Sequence, residues 1–212
     1  MSRGVFITFE GGEGAGKSTQ LRRLSERLAA RGREVVATRE PGGSPGAEAL
    51  RALLVEGAAD RWSPMSETLL LYAARADHLE RLIQPALARG AVVISDRFAD
   101  STRAYQGAAG GVAPGFIDAL ERAVLGETRP DLTLILDLPA ERGLARAAGR
   151  GGAEARFESK GLGFHQRLRD GFLAVAAAEP DRCVVIDADQ PLDAVSAAVA
   201  AAVDAVLARS AP

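Results

Sequence analysis

The residues with the clearest chemistry stand near the amino terminus. Gly11-Gly12-Glu13-Gly14-Ala15-Gly16-Lys17-Ser18, followed by Thr19, satisfies the pattern G-x-x-x-x-G-K-[ST]. The apolar run Val5 to Phe9 precedes it and the helical spacing Leu21, Leu24, Leu28 follows, so strand, loop and helix stand in the order that a phosphate cradle requires. Glycines let backbone N–H groups converge on an anion, and the helix N-terminus adds its partial positive charge. Lys17 can reach the β and γ phosphates of a nucleoside triphosphate, and the Ser18 hydroxyl can ligate Mg²⁺. The lysine is informative in itself. The chain has 24 arginines but only Lys17 and Lys160, so a compact point charge is kept where arginine serves elsewhere.

A second acidic element, Val92-Val-Ile-Ser-Asp96, reads as a buried strand ending in a carboxylate that can hold Mg²⁺ through water. Asn-Lys-x-Asp, the guanine-reading motif, is absent, which favours ATP as the phosphoryl donor. Gly149-Arg-Gly-Gly-Ala-Glu-Ala155 is small, polar and glycine-rich, and fits either a surface loop or a lid over about 146–160. Arg146 and Arg150 are four residues apart on one helix face, and Arg156 follows the glycines.

Five runs with strand character alternate with helical patterns: Val5 to Phe9, Glu34 to Thr38, Ala91 to Ser95, Leu132 to Asp137 and Cys183 to Asp187. Alternation of this kind predicts an α/β fold whose parallel strands are covered on both faces. Ser63-Pro64 starts a long helical run to Arg89-Gly90, with Pro85 inside it as a kink, and Ala113-Pro114 starts another that ends near Gly126. No repeat or low-complexity linker divides the 212 residues, so one domain is expected. A net charge of −2 gives no electrostatic reason to expect a nucleic-acid polymer as partner. The alanine-rich stretch Ala194 to Ala208 is interrupted by Asp204 and reads as a surface-packed helix, not a membrane span. The one cysteine, Cys183, sits in an apolar run and reads as a buried thiol in a reducing compartment, with the cytoplasm as the expected location.

Four separated blocks carry a resemblance along nearly the whole chain: Phe9 to Gln20, Thr38-Arg-Glu-Pro-Gly-Gly43, Asp96-Arg-Phe98 with Asp100-Ser-Thr102 and Tyr105-Gln-Gly107, and Arg129 to Leu134. The chain resembles the bacterial thymidylate kinases. That resemblance implies a three-layer P-loop fold with a five-stranded parallel sheet and a small lid, usually in a homodimer. It also implies transfer of the γ-phosphoryl group of MgATP to dTMP. Arg39 and Arg97 match arginines that hold the acceptor's phosphate, and a guanidinium fork suits a phosphate monoester. Thymine recognition maps onto Arg75, Thr102 and Gln106, and Glu13 matches an acidic position near the acceptor sugar and phosphate.

Two positions depart from the family pattern. Where the family commonly has a phenylalanine that stacks on thymine, this chain has Leu71; Tyr72 is one helical step around and does not simply substitute. Where some relatives carry an arginine in the phosphate loop, this chain has Gly14. The resemblance therefore assigns the transition-state charge to the lid, with Arg156 reaching across the phosphates and Arg146 and Arg150 beside it. Two alternatives remain at this point: a kinase of another nucleoside monophosphate or small metabolite, and a non-catalytic nucleotide-binding switch.

Overall fold

The structure is a computed structural model of the 212-residue chain and describes residues 3–58, 60–148 and 160–209. Five parallel strands form one sheet in the order β2-β3-β1-β4-β5: β1 (Phe6–Glu10), β2 (Val35–Arg39), β3 (Val92–Asp96), β4 (Leu132–Asp137) and β5 (Cys183–Asp187). Three strands begin and end one residue later than the sequence pattern indicates, and two coincide with it.

Successive side chains of a strand point to opposite faces, and β1 shows what each face is for. Ile7 and Phe9 join Leu24 and Leu28 of α1 (Lys17–Ala30), together with four valines of a C-terminal helix, in one buried cluster. Phe6 points the other way and packs with Tyr72, Leu79 and Ile83. Thr8 and Glu10 share that second face and are also buried, so the sheet carries a polar seam there. The seam is satisfied internally. Thr8 Oγ1 meets Thr133 Oγ1 at 2.9 Å, and Asp100 accepts from Thr133 Oγ1 at 3.2 Å and from both Nη atoms of Arg182 at 2.7 and 2.8 Å.

After β2 come α2 (Pro45–Val55) and a long helical run, α3 (Pro64–His78), a π-helical turn (Leu79–Ile83) and α4 (Gln84–Ala88). Ser63 caps the run by accepting from Ser66 N at 3.1 Å, with Pro64 at its first position. The expected break at Pro85 takes the form of the π turn just before it. Proline has no N–H to give, and its ring crowds the carbonyl four residues back, which a wider turn relieves.

α5 (Ala99–Thr102) leads into a second π turn (Arg103–Ala108), followed by α6 (Pro114–Leu125). α7 (Ala140–Ala147) follows β4; α8 (Leu162–Ala178) precedes β5 and α9 (Leu192–Arg209) follows it. Most of the expected lid, including Arg150 and Arg156, lies outside the described residues. Among the described residues no helix is long and apolar enough to cross a membrane. Cys183 is buried, and loss of solvation pushes its thiol up to about 11.

The loop after β1 runs to α1 on one face of the sheet, while the loop after its neighbour β3 runs to α5 on the other. Adjacent strands whose chains leave in opposite directions open a crevice at their carboxyl ends, where ligands bind in sheets of this kind.

Candidate active site

The phosphate loop occupies that crevice and ends on α1, whose N-cap Gly16 has φ 93°. Lys17 Nζ donates to the carbonyls of Gly11 at 3.1 Å and Gly12 at 2.9 Å, so the ammonium lies across the loop's own backbone. Ser18 Oγ donates to Asp96 Oδ2 at 2.7 Å. The two oxygen donors expected to hold Mg²⁺ thus meet at the ends of α1 and β3. A hydroxyl and a carboxylate are hard oxygen ligands and fit that ion, which keeps several waters and takes the rest of its shell from substrate phosphates.

Gly14 has φ 69°, and a Cβ there would stand 2.2 Å from the carbonyl oxygen of Gly143 on α7. A Cβ on Gly143 would in turn stand 2.5 Å from Glu13 O. Loop and helix touch backbone to backbone, which leaves no volume for an arginine at position 14. Arg146, in the last turn of α7, faces the loop after β5, with Nη1 3.3 Å from Ala188 O and Nη2 3.4 Å from Asp189 Oδ1. Arg142 pairs with the same Asp189.

Beside the loop lies a cleft of about 590 Å³, its open mouth included. One cluster in its wall adjoins the phosphates' place. Arg97 donates to Gly11 O at 3.1 Å, Ser101 Oγ at 3.3 Å and Glu13 Oε1 at 2.9 Å, and Tyr105 Oη donates to the same Glu13 oxygen. Arg97 holds φ 71°, the one positive φ among described non-glycine residues. A left-handed conformation costs about 1–3 kcal/mol and persists where the surroundings over-determine it. Here Arg97 N donates to Phe9 O at 2.9 Å and Ser95 Oγ donates to Arg97 O at 2.7 Å. Glu10 fastens the following turn by accepting from Phe98 N at 2.8 Å and from Ser101 N at 3.2 Å. Burial, then the nearby Asp100 carboxylate, raise Glu10 to about 8, so it is largely protonated at neutral pH.

The second cluster centres on Arg75, which is buried in α3. Its Nε donates to Glu40 Oε2 at 2.8 Å, and its Nη2 to Phe98 O at 3.1 Å and Thr102 Oγ1 at 3.2 Å. Its guanidinium carbon lies 4.7 Å from the Tyr72 ring centre and 5.2 Å from that of Phe98. Arg75 lines the cleft, and among the described residues its Nη1 is buried without a hydrogen-bond partner, as a donor kept for a ligand would be. Gln106 Nε2 donates to Glu67 Oε1 at 2.7 Å, which pins the carboxamide at the same cleft.

The expected acceptor residues Leu71, Arg75, Arg97, Thr102 and Gln106 therefore share one cleft with Glu13. Arg39 is not in its wall. Its guanidinium turns to Glu48, Nη2 to both carboxylate oxygens at 3.1 Å, and it borders a separate groove with Ser18 and Asp96. Besides Arg75 and Arg97, the cleft wall holds a third arginine, Arg51 of α2, which donates to Pro41 O at 2.7 Å. Nothing in the sequence distinguished Arg51 from the other arginines. Glu40, Ser101 and Tyr105 also line the cleft and were missed as site residues, although all three fall inside blocks that carried the resemblance. Tyr72 is packed under Arg75 and does not line the cleft, in keeping with its helical position.

A phosphate loop and an acceptor cleft sharing the ends of β1 and β3 define a P-loop kinase. The thymidylate kinase family model matches residues 9–199. A thymidylate kinase of Caulobacter vibrioides is 71% identical over 199 residues, covering 94% of this chain and 95% of its own. One from Nitrobacter winogradskyi is 57% identical, covering 94% and 88%. The crystal structure of thymidylate kinase from Ehrlichia chaffeensis aligns with a TM-score of 0.75 at 34% identity, over 94% of this chain and 98% of that one. The chain belongs to the thymidylate kinase family.

Proposed function

We propose that the chain transfers the γ-phosphoryl group of ATP to dTMP, giving dTDP and ADP. Family membership supports the reaction, and the position of Arg97 carries the geometric case. One guanidinium joins the phosphate loop, through Gly11 and Glu13, to the wall of the acceptor cleft, through Ser101, so donor and acceptor phosphates meet around it. In the transfer, the bond from the γ phosphorus to the β–γ bridging oxygen breaks and a bond to a dTMP phosphate oxygen forms. Because that oxygen is already ionised at neutral pH, positioning and charge stabilisation do the catalytic work. Lys17 attends the β and γ phosphates. Ser18 and Asp96 are the residues that would hold Mg²⁺, which neutralises phosphate charge when bound. Arg97 and Arg51 hold the acceptor phosphate, and Arg75, Thr102 and Gln106 meet the base.

The lid reading stays with the proposal. Arg156 supplies transition-state charge, supported by the steric closure of position 14 against Gly143. Its test is Arg156→Ala, which should lower kcat more than it raises the KM of the acceptor. A homodimer is proposed on the packed pair α2 and α3, where Leu53, Met65 and Leu69 are exposed; sedimentation of a Leu69→Glu variant as a monomer would bear it out. The proposed compartment is the cytoplasm, in keeping with a single buried thiol. The deciding experiment is coupled ADP release with dTMP, dUMP, dCMP, UMP and dGMP side by side. Fastest turnover with dTMP is expected, and a better acceptor among the others would overturn the assignment.

A further inference from the structure

Arg75 is held at Nε by Glu40 in the cleft wall, and behind Glu40 stand His78 and Thr38, which do not line the cleft. Glu40 occupies Nε of Arg75 with one oxygen, while its other oxygen meets His78 Nδ1 at 3.1 Å. His78 Nε2 meets Thr38 Oγ1 at 2.8 Å, one residue before the end of β2. Glu40 side chain and His78 are 4% and 0% exposed, so water does not compete for these bonds. Gly43 makes the last link sterically possible. A Cβ there would stand 2.4 Å from both His78 Nε2 and Thr38 Oγ1.

The consequence lies in which donors remain. A guanidinium has five N–H groups. Nε spends one on Glu40 and Nη2 spends two on Phe98 O and Thr102 Oγ1, which leaves only the pair on Nη1. A donor with no acceptor capacity accepts a base presenting a carbonyl and opposes one presenting an amino group at the same place. Discrimination then depends on how firmly Nη1 is aimed, because a guanidinium free to turn could satisfy itself elsewhere.

We infer that Glu40 and His78 are specificity-determining positioning residues: with Thr38 they form a buried relay that aims Arg75 Nη1, and so set preference for a 4-carbonyl pyrimidine over a 4-amino one. The inference rests on the proposed dTMP-binding role of the cleft. dTMP and dUMP both carry the carbonyl, whereas dCMP carries the amino group. Loosening the relay therefore lowers the dTMP to dCMP ratio and leaves the dTMP to dUMP ratio alone.

The test measures kcat/KM for dTMP, dUMP and dCMP, and KM for ATP, in the full chain, Glu40→Gln and His78→Gln. Glu40→Gln keeps shape but removes the charge that opposes Arg75, and should reduce the dTMP to dCMP ratio about tenfold; His78→Gln should reduce it by about threefold. The KM for ATP and the dTMP to dUMP ratio should stay within about twofold. A uniform fall for all three acceptors, or an unchanged dTMP to dCMP ratio, would mean the relay only supports the fold and would overturn the inference. If Glu40→Gln does not fold, His78→Gln alone decides by the same two ratios. Failure of the unaltered chain to prefer dTMP would instead count against the proposed function, and is seen before any variant is made.

Discussion

At the acceptor cleft, Arg75 and Arg97 each donate three hydrogen bonds to described residues, and both are nearly removed from water. At the donor end, Lys17 lies on the carbonyls of its own loop, and the half-exposed Arg142 and Arg146 share Asp189. The first arrangement is complete before any ligand arrives. The second must exchange its partners when phosphates bind. On the proposed roles, selection of the acceptor is built into folding, where the ordering cost of the side chains is already met, while the charges that serve transfer are held loosely enough to be re-paired. An arginine committed in advance can aim at one atom of a base, whereas a charge that must follow a phosphoryl group through its transfer needs freedom to move.

The largest effect that would sharpen this contrast is at Lys17. Lys17→Ala should cut kcat by about 10²–10³ with little change in the thermal midpoint, since its partners are loop carbonyls that water can take over. A parallel collapse of stability would place Lys17 on the structural side instead. Glu10 offers a test of the acceptor side through pH. Its folded-state pKa is raised from 4.5 to about 8, so the folded chain binds the proton more tightly than the unfolded one across that window. The stability it contributes is full below the unfolded value and is lost as pH rises through about 8. Glu10→Gln should flatten the decline of the thermal midpoint between about pH 5 and 9; an unaltered slope would assign the decline to other groups.

Smaller effects should follow at the edges of each region. Asp189→Asn frees Arg142 and Arg146, both themselves exposed, from a half-buried partner, so the KM for ATP should change by no more than about fivefold, with no change in the KM for dTMP. A shift confined to dTMP would break the separation of the two ends. Leu71→Phe adds an aromatic face to the acceptor wall and should lower the KM for dTMP about threefold in a titration of initial rates. A rise instead would mean that the cleft has no room for a ring beside Arg75.

Much of this was legible because it rests on local rules. Glycine spacing, the lysine and the apolar strand before them specify a phosphate loop without reference to distant residues, since backbone donors do the binding. The strands were legible because central parallel strands are buried on both faces and so appear as unbroken apolar runs. Leu71, Thr102 and Gln106 fell in the cleft as the resemblance implied. Arg39 and Arg51 show where such reasoning stops. Arg39 ends β2 and Arg51 lies on the helix that follows it, but where a long side chain goes depends on its neighbours in space, and Glu48 pairs with Arg39 while Arg51 reaches the cleft from α2.

By itself, then, the sequence determined a P-loop kinase, its phosphate loop, and several of the residues that line the cleft beside it. Those features depend on residue type at fixed short spacing, which a linear chain records directly. Only the tertiary structure decided that Arg51 and not Arg39 lines the cleft, that Gly14 and Gly143 leave no space for a loop arginine, and that Glu40 and His78 stand behind Arg75. Each of these is a matter of volume or direction between residues far apart in the chain, and close packing settles them only after the sheet and its helices have come together.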